Sequence, residues 1–292
     1  MKFEGAFTAL ITPFDEDENI DEKGFRQNIR QQIDDGIDGL LPVGTTGECA
    51  TLSHEEHERV VEIAVDEADG QVPVMAGTGS NNTKEALELT SHAAEVGADA
   101  AMLVGPYYNK PTQRGLYEHY KKLAEEVDIP QVIYNIESRT GKNIEADTIA
   151  KLSQIDNIIG VKEASGSLKQ VMDIQNKSVE DFRIMSGDDF LALPMLSIGG
   201  YGVVSVASNL IPGKISKLVS SYREGDVDTS REIHYELLPL FKSLFLETNP
   251  GPVKAAMDLM DKPAGKPRLP LVEVEEETKE ELRSVLSSLD LI

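Results

Sequence analysis

Tryptophan is absent from this chain, cysteine occurs once, and lysine with arginine number only 28 against 51 aspartates and glutamates. Each scarcity excludes something. The single Cys49 permits no internal disulfide and no multi-cysteine metal site, which points to a reducing compartment. The shortage of basic residues leaves a net charge of -23, which repels nucleic-acid phosphate and anionic membrane surfaces. No apolar run approaches the ~20 residues that cross a bilayer, and Met1-Lys-Phe-Glu-Gly5 leads into no signal-peptide core. The expectation is a cytoplasmic protein with no nucleic-acid or membrane partner. The acid excess gathers in runs such as Asp15-Glu-Asp-Glu18 and residues 273–281. It suits either the hydrated surface of a salt-adapted protein or an ordinary acidic enzyme with solvated loops and helix faces.

What is present is an alternation. Short stretches rich in Val, Ile, Leu and Ala, namely 6–13, 39–44, 72–77, 100–105, 131–135, 158–164, 183–187 and 202–206, are each followed by a longer segment with apolar residues at helical spacing. Eight strand–helix pairs predict an α/β fold, a (β/α)8 TIM barrel over residues 1–225, with an open doubly wound sheet as the rival. Residues 226–292 read as a C-terminal helical segment packed beside the barrel, broken at 249–252 and 262–267. Ser53-His-Glu-Glu56 is a capping box, and Asn82 and Ser167 are further helix caps.

In a barrel, chemistry gathers at the C-terminal ends of the strands. Those ends hold Thr12, Thr45-Thr-Gly-Glu48, Thr78-Gly79, Tyr107-Tyr108, Tyr134-Asn135, Lys162, Ser186-Gly-Asp188 and Ser205. Side chains alternate along a strand, so Gly160, Lys162 and Ala164 share one face and Ile159 and Val161 the other. With Ile159 and Val161 against the helices, Lys162 points inward. Desolvation there favours a neutral amine that attacks a carbonyl to form a Schiff base; the alternative is a lysine paired to a buried carboxylate. Tyr134 is a proton carrier for such chemistry or a core aromatic. Thr45 and Thr46 pass a proton, bind a carboxylate, or merely make a tight turn. Gly77-Thr-Gly79 lacks the spacing of a phosphate loop. His54 and His57, three apart, lack the H-E-x-x-H zinc spacing, so no metal is expected; they line a small-molecule site or decorate a helix face. Asp188-Asp189 reads as an acidic pair at a helix N-terminus.

Gly44-Thr-Thr-Gly-Glu-Cys-Ala-Thr-Leu-Ser53, Pro106-Tyr-Tyr-Asn-Lys-Pro111, Tyr134-Asn135 with Ser138-Arg-Thr-Gly141, Gly160-Val-Lys-Glu-Ala164 and Ser186-Gly-Asp188 together resemble the motifs of the dihydrodipicolinate synthase and N-acetylneuraminate lyase family. The motifs run in order across nearly the whole chain. The resemblance implies a Schiff-base lyase that condenses pyruvate with L-aspartate 4-semialdehyde to give 4-hydroxy-tetrahydrodipicolinate in lysine (diaminopimelate) biosynthesis. No cofactor is implied beyond a covalent pyruvate imine on Lys162. By the same resemblance Tyr134, Thr45 and Tyr108 form a proton relay, Tyr108 reaching into a neighbouring subunit. Thr46 binds the pyruvate carboxylate, Arg139 gathers the carboxylate of the second substrate, and backbone groups of Gly187 and Val204 shape the pocket. Cys49, Ala50, His54, His57, Asn81, Glu85 and Tyr107 match a feedback site for lysine at a subunit interface in a homotetramer built as a dimer of dimers. The chain departs from the family pattern at Glu137, where proline is usual, at Cys49, often serine, and at Thr248 and Gly251. Two other readings remain: a related pyruvate aldolase cleaving N-acetylneuraminate or a 2-keto-3-deoxy sugar acid, and a non-catalytic barrel that binds an amino acid.

Overall fold

The computed structural model describes residues 3–292. Its apolar stretches form eight parallel strands: β1 Gly5–Ala9, β2 Gly39–Leu41, β3 Met75–Gly77, β4 Ala100–Val104, β5 Gln131–Asn135, β6 Ile158–Glu163, β7 Arg183–Ser186 and β8 Gly202–Ser205. They pair in the order β2-β1-β8-β7-β6-β5-β4-β3. A parallel bridge between Leu40 and Val74, with Leu40 N–H donating to Pro73 O (2.9 Å) and Gly77 N–H to Pro42 O (3.1 Å), joins the two outer strands and closes the cylinder. The barrel is thus the observed fold, and the open sheet is not.

Among the described residues, nine helices cover the barrel: α1 Glu22–Asp34, α2 His54–Ala68, α3 Thr83–Glu95, α4 Gln113–Glu126, α5 Glu137–Thr140, α6 Ala146–Leu152, α7 Leu168–Lys177, α8 Ala192–Ser197 and α9 Pro212–Arg223. Three more follow, α10 Val227–Ser243, α11 Gly251–Leu259 and α12 Glu276–Ser288. The start signals act as read. Ser53 and Glu56 exchange hydrogen bonds across the first turn of α2 (3.1 and 2.8 Å), Asn82 accepts from Lys84 N–H, and Ser167 accepts from Gln170 N–H. Pro250 and Pro252, read as a break, flank the first residue of α11, where proline's missing N–H costs no helical bond. No helix among the described residues is long and apolar enough to cross a membrane.

Alternation sorts the core into two layers. Phe7, Leu41, Met75, Ala100, Met102, Val132, Tyr134, Met185 and Val204 fill the barrel interior, while Leu103, Ile133, Val161 and Ile184 pack outward against helices. One detail corrects the reading of β6. A bulge shifts the register between Gln131 and Val132, whose partners are Ile158 and Gly160, so Ile159 is the extra residue. Ile158 joins Val161 on the helix side, and Ile159 packs against the interior cluster instead. From Gly160 onward the alternation is regular, so the inward direction of Lys162 is kept. Several strands are shorter than read. β1 ends at Ala9 and β2 at Leu41, and the residues beyond leave the ladder as loops that carry Thr12 and Thr45 to Glu48 over the barrel mouth.

Candidate active site

Tyr134 and Lys162 are direct register partners on β5 and β6, and the Lys162 ammonium lies 4.1 Å from the centroid of the Tyr134 ring. The next pair along, Asn135 and Glu163, faces the helices. Asn135 Nδ2 donates to Glu163 Oε2 (2.9 Å) and Ser165 N–H donates to Oε1 (2.8 Å), so this buried carboxylate is spent on locking the two strand ends together. Inside, Gly187 packs on the lysine stem: a Cβ there would come within 2.8 Å of Ala164 Cβ and 3.1 Å of both Cγ and Cε of Lys162, which is why the position takes glycine. Lys162 is 6% exposed. Burial lowers its pKa to about 7; Asp189 pulls it back up, and the Arg139 guanidinium pushes it further down.

A second buried lysine shows what a structural ammonium looks like in this fold. Lys254 of α11 forms an ion pair of 2.5 Å with Glu48, donates to Lys266 O (3.2 Å) and stands 4.2 Å above the Phe14 ring. The reading of a lysine paired to a buried carboxylate, open for Lys162, is realised at Lys254. Lys162 makes no such ion pair among the described residues.

Tyr134 is buried, which drives its phenol up to about 12, with Arg139 and the nearby Thr45 hydroxyl easing the shift, so it stays protonated and able to donate near neutrality. Thr46 is buried and accepts from Asn249 Nδ2 (3.0 Å), which leaves the hydroxyl proton free for a ligand oxygen. Arg139 sits exposed at the rim on α5 and donates from Nη2 to Asn249 O (3.2 Å). Glu137 in place of proline does not leave a slack loop, because residues 137–140 close a helical turn with Gly141 N–H donating to Glu137 O (2.8 Å). Asn249 was not among the predicted site residues. It reaches Thr46 across 203 positions of sequence, and no local pattern marks it.

A cavity of about 430 Å3 opens beside this group, walled by Thr45, Tyr134, Arg139 and Asn249 and, further out, by Cys49, Ala50, His54, His57, Glu85 and Tyr107. Two of the residues read as catalytic, Thr45 and Tyr134, therefore share one space with six of those read as regulatory. Lys162 and Thr46 lie off its wall. Asn81 also lies off it, its carbonyl accepting from Asn109 Nδ2 (2.8 Å). Val204 is in the barrel interior, and Tyr108 is 89% exposed with its side chain outside the cavity of its own chain. Ser80, followed by His54 at 2.7 Å, holds the Glu85 carboxyl below the usual carboxylate range. Burial lowers His57, whose Nε2 faces Gly77 O at 2.8 Å and donates to it. Burial also raises the Cys49 thiol to about 11, which favours its protonated form.

Asp188 and Asp189 do stand at a helix start, as read, but their side chains do different things. Asp188 caps a single 3-10 turn by accepting from Phe190 N–H (2.9 Å). Asp189 is buried and turns the other way, its Oδ2 accepting from the N–H groups of Val206 (3.0 Å) and Ala207 (3.1 Å) beyond β8. Sequence proximity to a turn hid a long-range contact.

Comparison with known proteins gives a consistent picture. The model of the dihydrodipicolinate synthetase family matches residues 2–289. A relative from Syntrophus aciditrophicus (strain SB) named 4-hydroxy-tetrahydrodipicolinate synthase is 52% identical over 290 residues, covering 99% of each chain. Among solved structures, dihydrodipicolinate synthase from Aquifex aeolicus superposes with a TM-score of 0.97 at 49% identity, covering 99% of each chain. The enzyme of that name from Cyanidioschyzon merolae, solved with lysine bound, superposes with a TM-score of 0.97 at 38% identity, again over 99% of each chain.

Proposed function

The chain belongs to the dihydrodipicolinate synthetase family, and from that premise we propose that its own site carries out the condensation for which its relatives are named. It is an enzyme of the 4-hydroxy-tetrahydrodipicolinate synthase type, a lyase of lysine and diaminopimelate biosynthesis acting on pyruvate and L-aspartate 4-semialdehyde. The observation that carries the mechanism is the buried, unpaired amine of Lys162 stacked on Tyr134, set against the ion-paired Lys254.

The neutral Lys162 amine attacks the keto carbon of pyruvate. Tyr134, protonated and eased by Thr45, supplies and recovers the protons as the carbinolamine loses water and the imine becomes an enamine. Thr46 donates its hydroxyl proton to the pyruvate carboxylate, a direction set by the Asn249 amide on its acceptor side. Arg139 at the rim takes the carboxylate of aspartate semialdehyde through its paired donors. The enamine attacks the aldehyde, the substrate's own amine closes the ring, and the lysine is released. Gly187 gives Lys162 its path, and Val204 completes the interior wall. The covalent pyruvate imine on Lys162 takes the place of a cofactor.

The outer half of the cavity, with the Glu85 carboxylate beside His54 and the hydroxyl of Tyr107, suits the ammonium and polar groups of an amino acid; we assign it, with Asn81 close by, to lysine as inhibitor. Tyr108 completes the relay from a neighbouring subunit in a cytoplasmic tetramer of two dimers. The test is reduction with borohydride in the presence of labelled pyruvate. Label on Lys162, absent in Lys162→Ala, supports the imine, and folded protein without label overturns it. The same preparation must condense pyruvate with aspartate semialdehyde, more slowly with millimolar lysine; cleavage of N-acetylneuraminate or a 2-keto-3-deoxy sugar acid in its place would select the sugar-acid aldolase reading.

A further inference from the structure

Asn249, just ahead of α11 and 4% exposed, lies where two groups assigned to two different carboxylates meet. Its amide Nδ2 donates to Thr46 Oγ (3.0 Å), and its main-chain carbonyl accepts from Arg139 Nη2 (3.2 Å). Further along the same segment, Lys254 pairs with Glu48. One short stretch of chain therefore holds the loop of Thr46 and Glu48 at two points and the rim guanidinium at a third. The arrangement leaves a deficit. Asn249 Oδ1 is sealed from solvent and has no hydrogen-bond partner among the described residues. A buried amide oxygen left unpaired is destabilising, so for packing alone an apolar side chain would serve better. What an apolar side chain cannot supply is the N–H aimed at Thr46.

We propose that Asn249 is a positioning residue that joins the two carboxylate-binding groups into one unit, its amide keeping the Thr46 hydroxyl turned as a donor to pyruvate and its carbonyl holding Arg139 for the second substrate. The proposal rests on the function given above. A hydroxyl has one proton and two lone pairs, so an amide N–H on a lone pair leaves the proton for the ligand. Without that N–H, the buried Thr46 hydroxyl is free to turn its proton to neighbouring backbone and to meet the pyruvate carboxylate with a lone pair. Because amide and carbonyl belong to one residue, pyruvate bound at Thr46 also steadies the support on which Arg139 rests.

The test is a double-mutant cycle of Asn249→Ala with Thr46→Val, read in the KM of each substrate. In otherwise unsubstituted protein, Asn249→Ala raises KM for pyruvate about tenfold, the scale of one hydrogen bond to a charged group. KM for aspartate semialdehyde rises by less in the same direction, although the Arg139 contact is to the main chain and survives the exchange. In a Thr46→Val background the same exchange raises neither, and with Thr46→Ser, which keeps the hydroxyl, the full rise returns. Equal rises in the Thr46 and Val backgrounds would mark a general loosening of the site and overturn the proposal. A pyruvate KM that does not move, or a rise confined to pyruvate, overturns it as well. Should Asn249→Ala not fold, Asn249→Leu, which lacks the amide and roughly keeps the volume, is read in the same cycle with the same outcomes. Trapping of labelled pyruvate on Lys162 in the unsubstituted protein reads the imine mechanism by itself, so failure of that mechanism is told apart from failure of the brace.

Discussion

Lys162 and Lys254 are buried alike and differ in company. Burial lowers Lys254 to about 8, with Glu48 opposing the shift, and its proton is committed to an ion pair. Lys162, lowered to about 7 with no ion pair among the described residues, is free to react. The sign of the consequence is definite. Attack on pyruvate needs the neutral amine, so kcat/KM for pyruvate should rise with pH, bend near 7 and level off above it, whereas an unperturbed lysine would keep it rising towards 10.5. A profile still climbing steeply at pH 9 would count against the reading. The direction of Lys162 was legible in the sequence because period-two alternation needs only its near neighbours. Asp189, Asn249 and Glu48 were not legible as supports, because each acts through contacts 17 to more than 200 positions away.

At the scale of elements, all eight strands and the caps Ser53, Asn82 and Ser167 announced themselves, since apolar runs and capping residues act locally, while the caps Asp21, Thr112 and Asp226 went unread. The bulge at Ile159 did not, because a bulge depends on the pairing of two strands. Nor did the role of the tail. α11 and the segment after it grip the loop that carries Thr45 and Thr46: Lys254 pairs with Glu48, Arg268 N–H donates to Glu48 Oε2 (2.9 Å), and the Arg268 guanidinium pairs with Glu56 of α2 (2.6 Å). Lys254 and Arg268 also stack on Phe14, each 4.2 Å from its ring centroid. Removing one partner of a buried pair strands the other charge. Lys254→Met should therefore lower the unfolding free energy in urea by ~3–5 kcal/mol, and Glu48→Gln by a similar amount. The double variant should lose clearly less than the sum. Strict additivity would show that the two charges do not act as a pair.

For the whole molecule, the telling residue is Tyr108. Its backbone is left-handed (φ 66°), as is that of Lys110 (φ 45°), and its ring is 89% exposed. Such a conformation costs a bulky residue ~1–3 kcal/mol and persists where surroundings hold it, yet within its own chain nothing covers this ring. Tyr107 and Leu269 are exposed hydrophobics too, and Tyr107 borders the cavity. A second copy of the chain that buries Tyr108 would explain both the exposure and the strain. Lys162, Tyr134 and Thr45 come from one chain, so imine formation and the rest of the relay separate on dissociation. Sedimentation should show an oligomer. Dilution below its dissociation point should depress kcat for condensation while labelled pyruvate is still trapped on Lys162, and Tyr108→Phe should depress kcat without dissociating the protein. A monomer with full condensing activity would deny Tyr108 its role in the relay and leave its exposed, strained geometry to be accounted for within the single chain.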